Sequence, residues 1–435
     1  MQIWNETTEC QDRDELSQLQ LERLQSTLNR AYKNVPFYHN CLGDACMDPT
    51  SVRSLDDLRR LPLTGREDLG KNYPYGLFAV PLRDIVRIHT ATGTGSNPTV
   101  SGYTKSDLAM WTEMVARSLT AAGVSADDII QVCFDPGLAN WARDVKGGAE
   151  AIQASVIPMT PLEIPKQVMV MNDYKTSTLV TTPSYARQLV REMARMGVNP
   201  NSLSLRRALL LGESLSEKSR ARLEAALPVQ IQTAYGLNEV PGPGIAYECQ
   251  ERQGLHLNED HFIAEIIDPE TTDPLAAGET GELVLTTLTA KAFPLIRFRT
   301  GDQASLSMER CSCNRSFARL YPIQGRVDQL VVIRGIKLHP QLIHTIMSRL
   351  CQGKIPAYVG FVGHLEELDL LEIWMRLDEA CFSDEIKVLE HLVHTVRREV
   401  EQSLGIPARV RLVEPGTMED YSDRFGQIID ERTNG

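Results

Sequence analysis

Two hydrophobic rhythms divide the chain. Across residues 15–32, leucines at 16, 19, 21, 24 and 28 stand among Gln, Glu and Arg in a mostly helical period, which predicts an amphipathic opening helix. Asn34-Val-Pro-Phe then predicts its end, because the residue before proline is pushed out of helical geometry. A second helix is expected over 104–122, capped by Thr104 or Ser106. Four short runs rich in β-branched and apolar residues follow, at 129–134, 155–159, 177–180 and 208–211. Stretches of helical composition such as 183–196 and 216–227 separate them. Strand alternating with helix predicts an α/β fold, a sheet covered by helices.

After Gly236 the texture becomes strand-rich. Segments 261–267 and 281–287 are separated by Asp-Pro-Glu-Thr-Thr-Asp-Pro and Gly-Glu-Thr-Gly turns, which predicts an antiparallel subdomain. Beyond residue 329 the pattern reads as a small βαββα-like unit: a strand at 330–333, a helix at 340–350, strands near 357–362 and 371–375, and a helix at 384–404. A chain of 435 residues is too long for one ordinary core. The best cut falls near 326–330, giving domains 1–326 and 327–435.

Charge narrows the partners. Acidic residues outnumber basic ones 57 to 45, for a net charge of −12, so the broad positive footprint of a nucleic-acid binder is missing and a small-molecule ligand is favoured. Apolar runs such as 330–333 are far too short to span a bilayer, and the chain starts Met-Gln-Ile-Trp-Asn-Glu without a basic-then-apolar leader. A cytoplasmic protein without membrane contact is expected. Nine cysteines, an odd number spread unevenly, do not form a disulfide framework and read as thiols or metal ligands.

Candidate chemistry begins at 88–104, Ile-His-Thr-Ala-Thr-Gly-Thr-Gly-Ser-Asn-Pro-Thr-Val-Ser-Gly-Tyr-Thr. Thr92, Gly93, Thr94, Gly95 and Ser96 can bring backbone N–H groups and hydroxyls against a polyphosphate. No Gly-Lys-Ser/Thr follows, so a Walker-type site is disfavoured. Cys249, His256, Cys311 and Cys313 supply three thiols and one imidazole, a set that fits tetrahedral Zn2+, against the alternative of free buried thiols. The remaining cysteines, at 10, 41, 46, 133, 351 and 381, show no partner pattern.

Further motifs follow the phosphate loop in order: Tyr235-Gly-Leu-Asn-Glu, Phe298-Arg-Thr-Gly-Asp, Gln324-Gly-Arg-Val-Asp-Gln and Ile333-Arg-Gly-Ile-Lys. The set resembles the adenylate-forming superfamily. Pro98-Thr-Val-Ser-Gly-Tyr-Thr, Gly254-Leu-His-Leu-Asn-Glu-Asp-His-Phe-Ile, Glu282-Leu-Val-Leu-Thr-Thr-Leu-Thr and Pro294-Leu-Ile-Arg-Phe-Arg-Thr-Gly-Asp narrow it to a resemblance to the phenylacetate-coenzyme A ligase family, over roughly residues 3–432. That resemblance implies a large N-terminal α/β portion with a strand-rich subdomain and a small α+β lid. It also implies a two-step reaction. A carboxylate, aromatic by expectation, attacks the α-phosphate of ATP, and a thiol, usually coenzyme A, then displaces AMP. By the same resemblance Thr92 to Ser96 hold phosphates, Glu239 binds Mg2+, and Tyr235 and Gly236 belong to the adenine site, where Tyr235 stacks on the base. Asp302 accepts from both ribose hydroxyls, Arg326 approaches ribose or phosphate, and Asp328 is the hinge of the lid. Arg334 and Gly335 lie where the pantetheine arm would be admitted. Phe134, Asn140, Trp141 and Gly212 fall in the acyl pocket. A carrier-protein thiol or an amine is the alternative acceptor, and a homodimer is an open option.

Three departures bear on activity. Ser96 stands at the loop's second glycine position and Gly95 where threonine is expected. At the C-terminus, where the family has Gly-Lys-Ala-x-Arg-Val-x-Asp-x-Arg, this chain reads Asp423-Arg-Phe-Gly-Gln-Ile-Ile-Asp-Glu-Arg. Anchoring on Asp430 and Arg432 puts Arg424 in place of the adenylating lysine, and no lysine follows Lys387. Arginine keeps the charge but is planar and bulkier. Third, Asn140, Trp141, Arg143, Asp144 and Lys146 bring bulk and charge to the acyl region, which means either a polar substrate or a solvent-facing helix start. The competing reading is a weakened homologue that binds nucleotide or acyl-adenylate, or performs one half-reaction.

Overall fold

The computed structural model describes residues 2–91, 98–134, 138–159, 162–240, 242–321, 323, 325–328, 330–334, 336–351, 355–365, 368–376 and 386–434. It divides into two compact units, one holding Met1–Ala91 with Pro98–Asp328, the other holding Gln329–Gly435.

The opening helix runs Arg13–Asn34. Asp12 caps it by accepting from the Asp14 N–H, and Asp14 and Glu15 lie where the positive end of the helix dipole favours acid. Leu16, Leu24, Leu28 and Ala31 are its buried stripe. Val35 ends it, and Pro36 at once opens a further helix, Pro36–Asp44, since proline suits a first turn that has no donor to lose. The helix is fastened to the strand-rich region: Gln20 Nε2 donates to the Glu259 carbonyl at 2.9 Å and Thr27 Oγ1 to that of Leu288 at 2.7 Å.

A nine-stranded sheet forms the centre of the first unit. Its order is Ser155–Ile157, Ile129–Val132, Thr178–Thr181, Arg207–Leu211, Gln230–Gly236, Pro243–Glu248, Leu255–Leu257, Arg319–Leu320 and Leu306–Ser307. The first five strands are parallel, and the rest pair antiparallel. Strand periodicity supplies both faces: Leu209 and Leu211 enter one core cluster while Ala208 and Leu210 enter another. Helices Ala139–Ala151, Ile164–Asp173, Pro183–Arg195 and Glu217–Ala226 intervene between parallel strands, and Lys105–Ala121, capped by Thr104, packs against Ala139–Ala151.

A second, antiparallel sheet holds Phe262–Ile267, Gly281–Thr287, Phe298–Ala304 and Gly325–Arg326. The strand Phe298–Ala304 receives an early segment: Thr64 N–H donates to the Arg297 carbonyl at 3.0 Å, and the Arg299 N–H to that of Thr64 at 2.9 Å. A hairpin of Arg87–Ala91 and Thr99–Tyr103 flanks the phosphate-loop sequence.

The second unit has its own core, including Ile343, Met347, Val362, Ile373 and Val400. Its sheet runs Ala408–Val413, Leu368–Arg376, Tyr358–Leu365, Ile428–Asp430, beside helices Pro340–Leu350 and Ile386–Leu404. Three strands lie beyond the βαββα expectation. Ile336–Leu338 pairs with Val331–Ile333 in a hairpin, while Ala408–Val413 and Ile428–Asp430 join in parallel.

Candidate functional site

Ligands of open α/β sheets bind beyond the carboxyl ends of the parallel strands, and the candidate residues collect there. Phe134 follows Ile129–Val132, Thr182 follows Thr178–Thr181, Gly212 follows Arg207–Leu211, and Tyr235 and Gly236 end Gln230–Gly236. Gly212 has φ +82°, and a Cβ there would lie 3.0 Å from Leu138 Cδ1 and within 3.8 Å of Trp141 and Thr182. Leu138, Trp141, Thr182 and Gly212 therefore converge, and the backbone at 212 has no space to spare. The charged run of the acyl region starts a helix, as one of the two readings held. Asn140 is half-buried, Arg143 is exposed and Lys146 pairs with Glu150 at 2.7 Å, while Trp141 and Asp144 turn inward. Arg87 Nη1 donates to Asp144 Oδ1 at 2.6 Å. Burial still pushes the Asp144 carboxyl up to about 7, against the pull of Arg87.

The polar centre lies between the two sheets of this unit. Tyr235 Oη donates to Asp302 Oδ2 at 2.6 Å, and Arg326 Nη1 bonds Asp302 Oδ1. Arg326 also donates from Nε to Asp328 Oδ1 at 2.6 Å, and from Nη2 to Asp328 Oδ2 and the Thr300 carbonyl, each at 2.8 Å. Desolvation, together with the adjoining Asp302 carboxylate, raises the Tyr235 phenol well above its ordinary value. Register explains the assembly, since Asp302 faces Arg326 across the antiparallel pair. Gly301, at φ +76°, must lack a side chain, because a Cβ would stand 2.4 Å from Asp328 Oδ2 and 2.7 Å from Arg326 Nη2. Glu239 is buried and ion-paired to Arg66, whose Nη2 donates to the Thr300 carbonyl at 2.5 Å.

Five expected residues thus share one region: Tyr235, Glu239, Asp302, Arg326 and Asp328. Arg66 and Thr300 join them unforeseen; in sequence Arg66 looks only like the start of a short acidic-capped helix. Thr92, Gly93, Thr94, Gly95 and Ser96 lie outside the described residues. Arg424 is exposed at the end of the 3-10 segment Pro415–Arg424 in the second unit. Its alignment anchors are held by an ion cluster there, with Arg432 donating to Asp369 Oδ2 and Asp430 Oδ2, each at 2.6 Å. Arg334 has φ +51° in the turn after Val331–Ile333, and Gly335 lies outside the described residues.

A separate cluster forms at the antiparallel end of the large sheet. The donor atoms of Cys249, His256, Cys311 and Cys313 all lie within 4.8 Å of one another, and all four residues are buried. Cys249 and Cys311 sulfurs are 3.9 Å apart, and Cys313 Sγ is 3.4 Å from His256 Nε2. The hydrogen bond with Cys249 holds the Cys313 thiol far below its ordinary value and drives Cys249 the other way. Three soft donors and an imidazole at this spacing suit a small tetrahedral cation. Around them, the fully buried Arg315 donates to Cys313 Sγ at 3.6 Å and to Glu9 Oε2 at 2.6 Å, and Tyr247 Oη donates to Glu9 Oε2 at 2.8 Å.

Comparison with known proteins agrees with this architecture. Residues 150–289 match the AMP-binding enzyme family model, and residues 335–432 match the AMP-binding enzyme C-terminal domain. The crystal structure of 2-hydroxyisobutyryl-CoA ligase superposes with a TM-score of 0.89 at 23% identity, covering 98% of this chain and 92% of that one. The fold is therefore that of the adenylate-forming enzymes. Among curated proteins, the phenylacetate-coenzyme A ligase of Thermus thermophilus is 39% identical, covering 93% of this chain and 94% of its own. Those of Escherichia coli and Aromatoleum evansii are 37% and 36% identical, covering 96% and 98% of this chain and 95% and 97% of theirs. The chain belongs to the phenylacetate-coenzyme A ligase family.

Proposed function

We propose that this protein joins a carboxylic acid, aromatic by kinship, to the thiol of coenzyme A by way of an acyl-adenylate, splitting ATP to AMP and pyrophosphate. The observation that carries the reading is the cluster of Tyr235, Glu239, Asp302, Arg326 and Asp328 beside the sheet's carboxyl edge, in a chain of this family. Asp302 would receive the ribose hydroxyls on the lone pairs that Tyr235 and Arg326 leave free. Tyr235 would present its ring to the adenine. Glu239 would hold Mg2+, which lowers the negative charge of the phosphate oxygens. Leu138, Trp141, Thr182 and Gly212 would close around the acyl group, with Phe134 and Asn140 nearby, and keep water from the mixed anhydride. Residues 1–326 would then be the adenylation domain and 327–435 the lid, with Asp328 at the hinge. Cys249, His256, Cys311 and Cys313 would hold a structural zinc apart from the chemistry.

Pyrophosphate release, measured with Mg-ATP, coenzyme A and a panel of aryl and hydroxylated acids, tests the reading in wild type and Arg424→Lys. Release by wild type that depends on one acid class supports it and names the class. Nucleotide binding without release by either protein would favour the weakened homologue.

A further inference from the structure

An adenylating enzyme needs a cation at the α-phosphate, where charge builds as carboxylate attacks. The family's lysine is replaced by Arg424, and among the described residues other cations stand around Glu239 and Asp302. Two guanidinium groups lie there, and they differ in commitment. Arg326 bonds Asp302 and both oxygens of Asp328 as well as the Thr300 carbonyl. Its removal would take charged bonds from two carboxylates at once, so its role is structural first. Arg66 is bound more lightly. It donates to Glu239 and to the Thr300 carbonyl, and its buried Nε has no hydrogen-bond partner while lying 3.6 Å from Asp328 Oδ2.

The placement of Arg66 is firm even though its bonding is not saturated. Thr64, two residues before it, is clasped between Arg297 and Arg299, and its Oγ1 donates to the Ile296 carbonyl at 2.7 Å. The guanidinium lies 5.6 Å from the centroid of the Phe298 ring, with the side chain only 11% exposed. Its partner Glu239 is the carboxylate that the ligase reading gives to Mg2+. A guanidinium and a divalent cation compete for one carboxylate, because binding both places like charges side by side.

We propose that Arg66 is the cation of adenylation: Mg2+ takes Glu239 from it, and the freed guanidinium turns onto a non-bridging oxygen of the α-phosphate. The proposal rests on the ligase reading above. In the step itself, a carboxylate oxygen of the acid bonds to the α-phosphorus as the bond from that phosphorus to the pyrophosphate oxygen breaks. Arg66 donates hydrogen bonds and transfers no proton. Arginine suits the task because its planar fork grips two oxygens and stays charged at any working pH.

Full-length Arg66→Ala and Arg66→Lys separate this from a packing role. Loss of one donor to a developing charge predicts that Arg66→Ala slows single-turnover pyrophosphate release by about 100-fold or more, with thioester formation from supplied acyl-adenylate and coenzyme A kept within about threefold. Arg66→Lys should recover part of the loss. In the absence of ATP, Mn2+, followed by electron paramagnetic resonance, should bind Arg66→Ala more tightly than wild type, because Glu239 has lost its competitor. Unchanged pyrophosphate release in Arg66→Ala would overturn the catalytic assignment, as would an equal fall in both half-reactions. Unchanged Mn2+ affinity would overturn the exchange. A wild type that releases no pyrophosphate with any acid would instead overturn the ligase reading, and this proposal with it.

Discussion

Asp144 shows how a single side chain sets a pH response. Its carboxyl is raised from an ordinary 3.8 to about 7 by burial. Between those values the folded protein holds a proton that the unfolded chain releases, so the contribution of Asp144 to stability falls as pH rises through that interval. Asp144→Asn abolishes this response. The stability of the variant minus that of wild type should therefore increase from pH 4 to pH 7, reaching about 1 kcal/mol or more relative to its value at low pH, as read from urea unfolding. A difference that is flat with pH would contradict the assignment. Asp302→Asn belongs to the same scale: with the charge lost from its bonds to ribose, KM for ATP should rise about tenfold. An unchanged KM would remove Asp302 from the ribose site. Tyr235, Glu239, Asp302 and Arg326 were legible because each sits in a short motif. Arg66 was not, since its partner Glu239 is 173 positions away and only the folded chain brings them together.

At the scale of elements, the antiparallel end of the large sheet is built around four donors from three chain segments. Cys249 follows Pro243–Glu248, His256 lies within Leu255–Leu257, and Cys311 and Cys313 lie in the connection before Arg319–Leu320. A protein with this site filled should carry about one zinc per chain by elemental analysis, and Cys311→Ser should lower that ratio. A ratio unchanged by the substitution would discard the cluster as a metal site. Through Cys313 and Arg315 the cluster reaches Glu9 in the short helix Glu6–Glu9. Chelation should accordingly expose the first residues to protease earlier than the rest of the unit. The elements themselves were read well where periodicity was strong, as in Arg13–Asn34 and Arg207–Leu211. Ile428–Asp430 escaped because three residues carry no period, and their stability as a strand comes from pairing with the distant Tyr358–Leu365. Ala408–Val413 is an edge strand whose arginines answer Glu372, Arg411 at 2.9 Å, so its apolar signal is diluted by charge.

For the whole molecule, each unit has its own hydrophobic core, and among the described residues no helix is long and apolar enough to cross a membrane. Among the described residues, the candidate nucleotide residues Tyr235, Glu239, Asp302, Arg326 and Asp328 fall in the first unit, and Arg424 in the second. The alternation of strand and helix announced the helix-covered sheet, and the turn-rich stretch after Gly236 announced the antiparallel part. What sequence could not announce is that these two sheets share one polar centre, since that depends on how Phe298–Ala304 and Gly325–Arg326 come to lie beside the end of Gln230–Gly236. The central claim is that a carboxylate oxygen attacks the α-phosphate in that centre. It is tested most directly with an acid labelled with 18O in its carboxylate, incubated with Mg-ATP, coenzyme A and wild-type protein, and with the AMP analysed by mass spectrometry. The account predicts one 18O atom in the AMP, carried over when sulfur displaces it from the acyl carbon. Acyl-coenzyme A formed with unlabelled AMP, or with the label in inorganic phosphate, would contradict it.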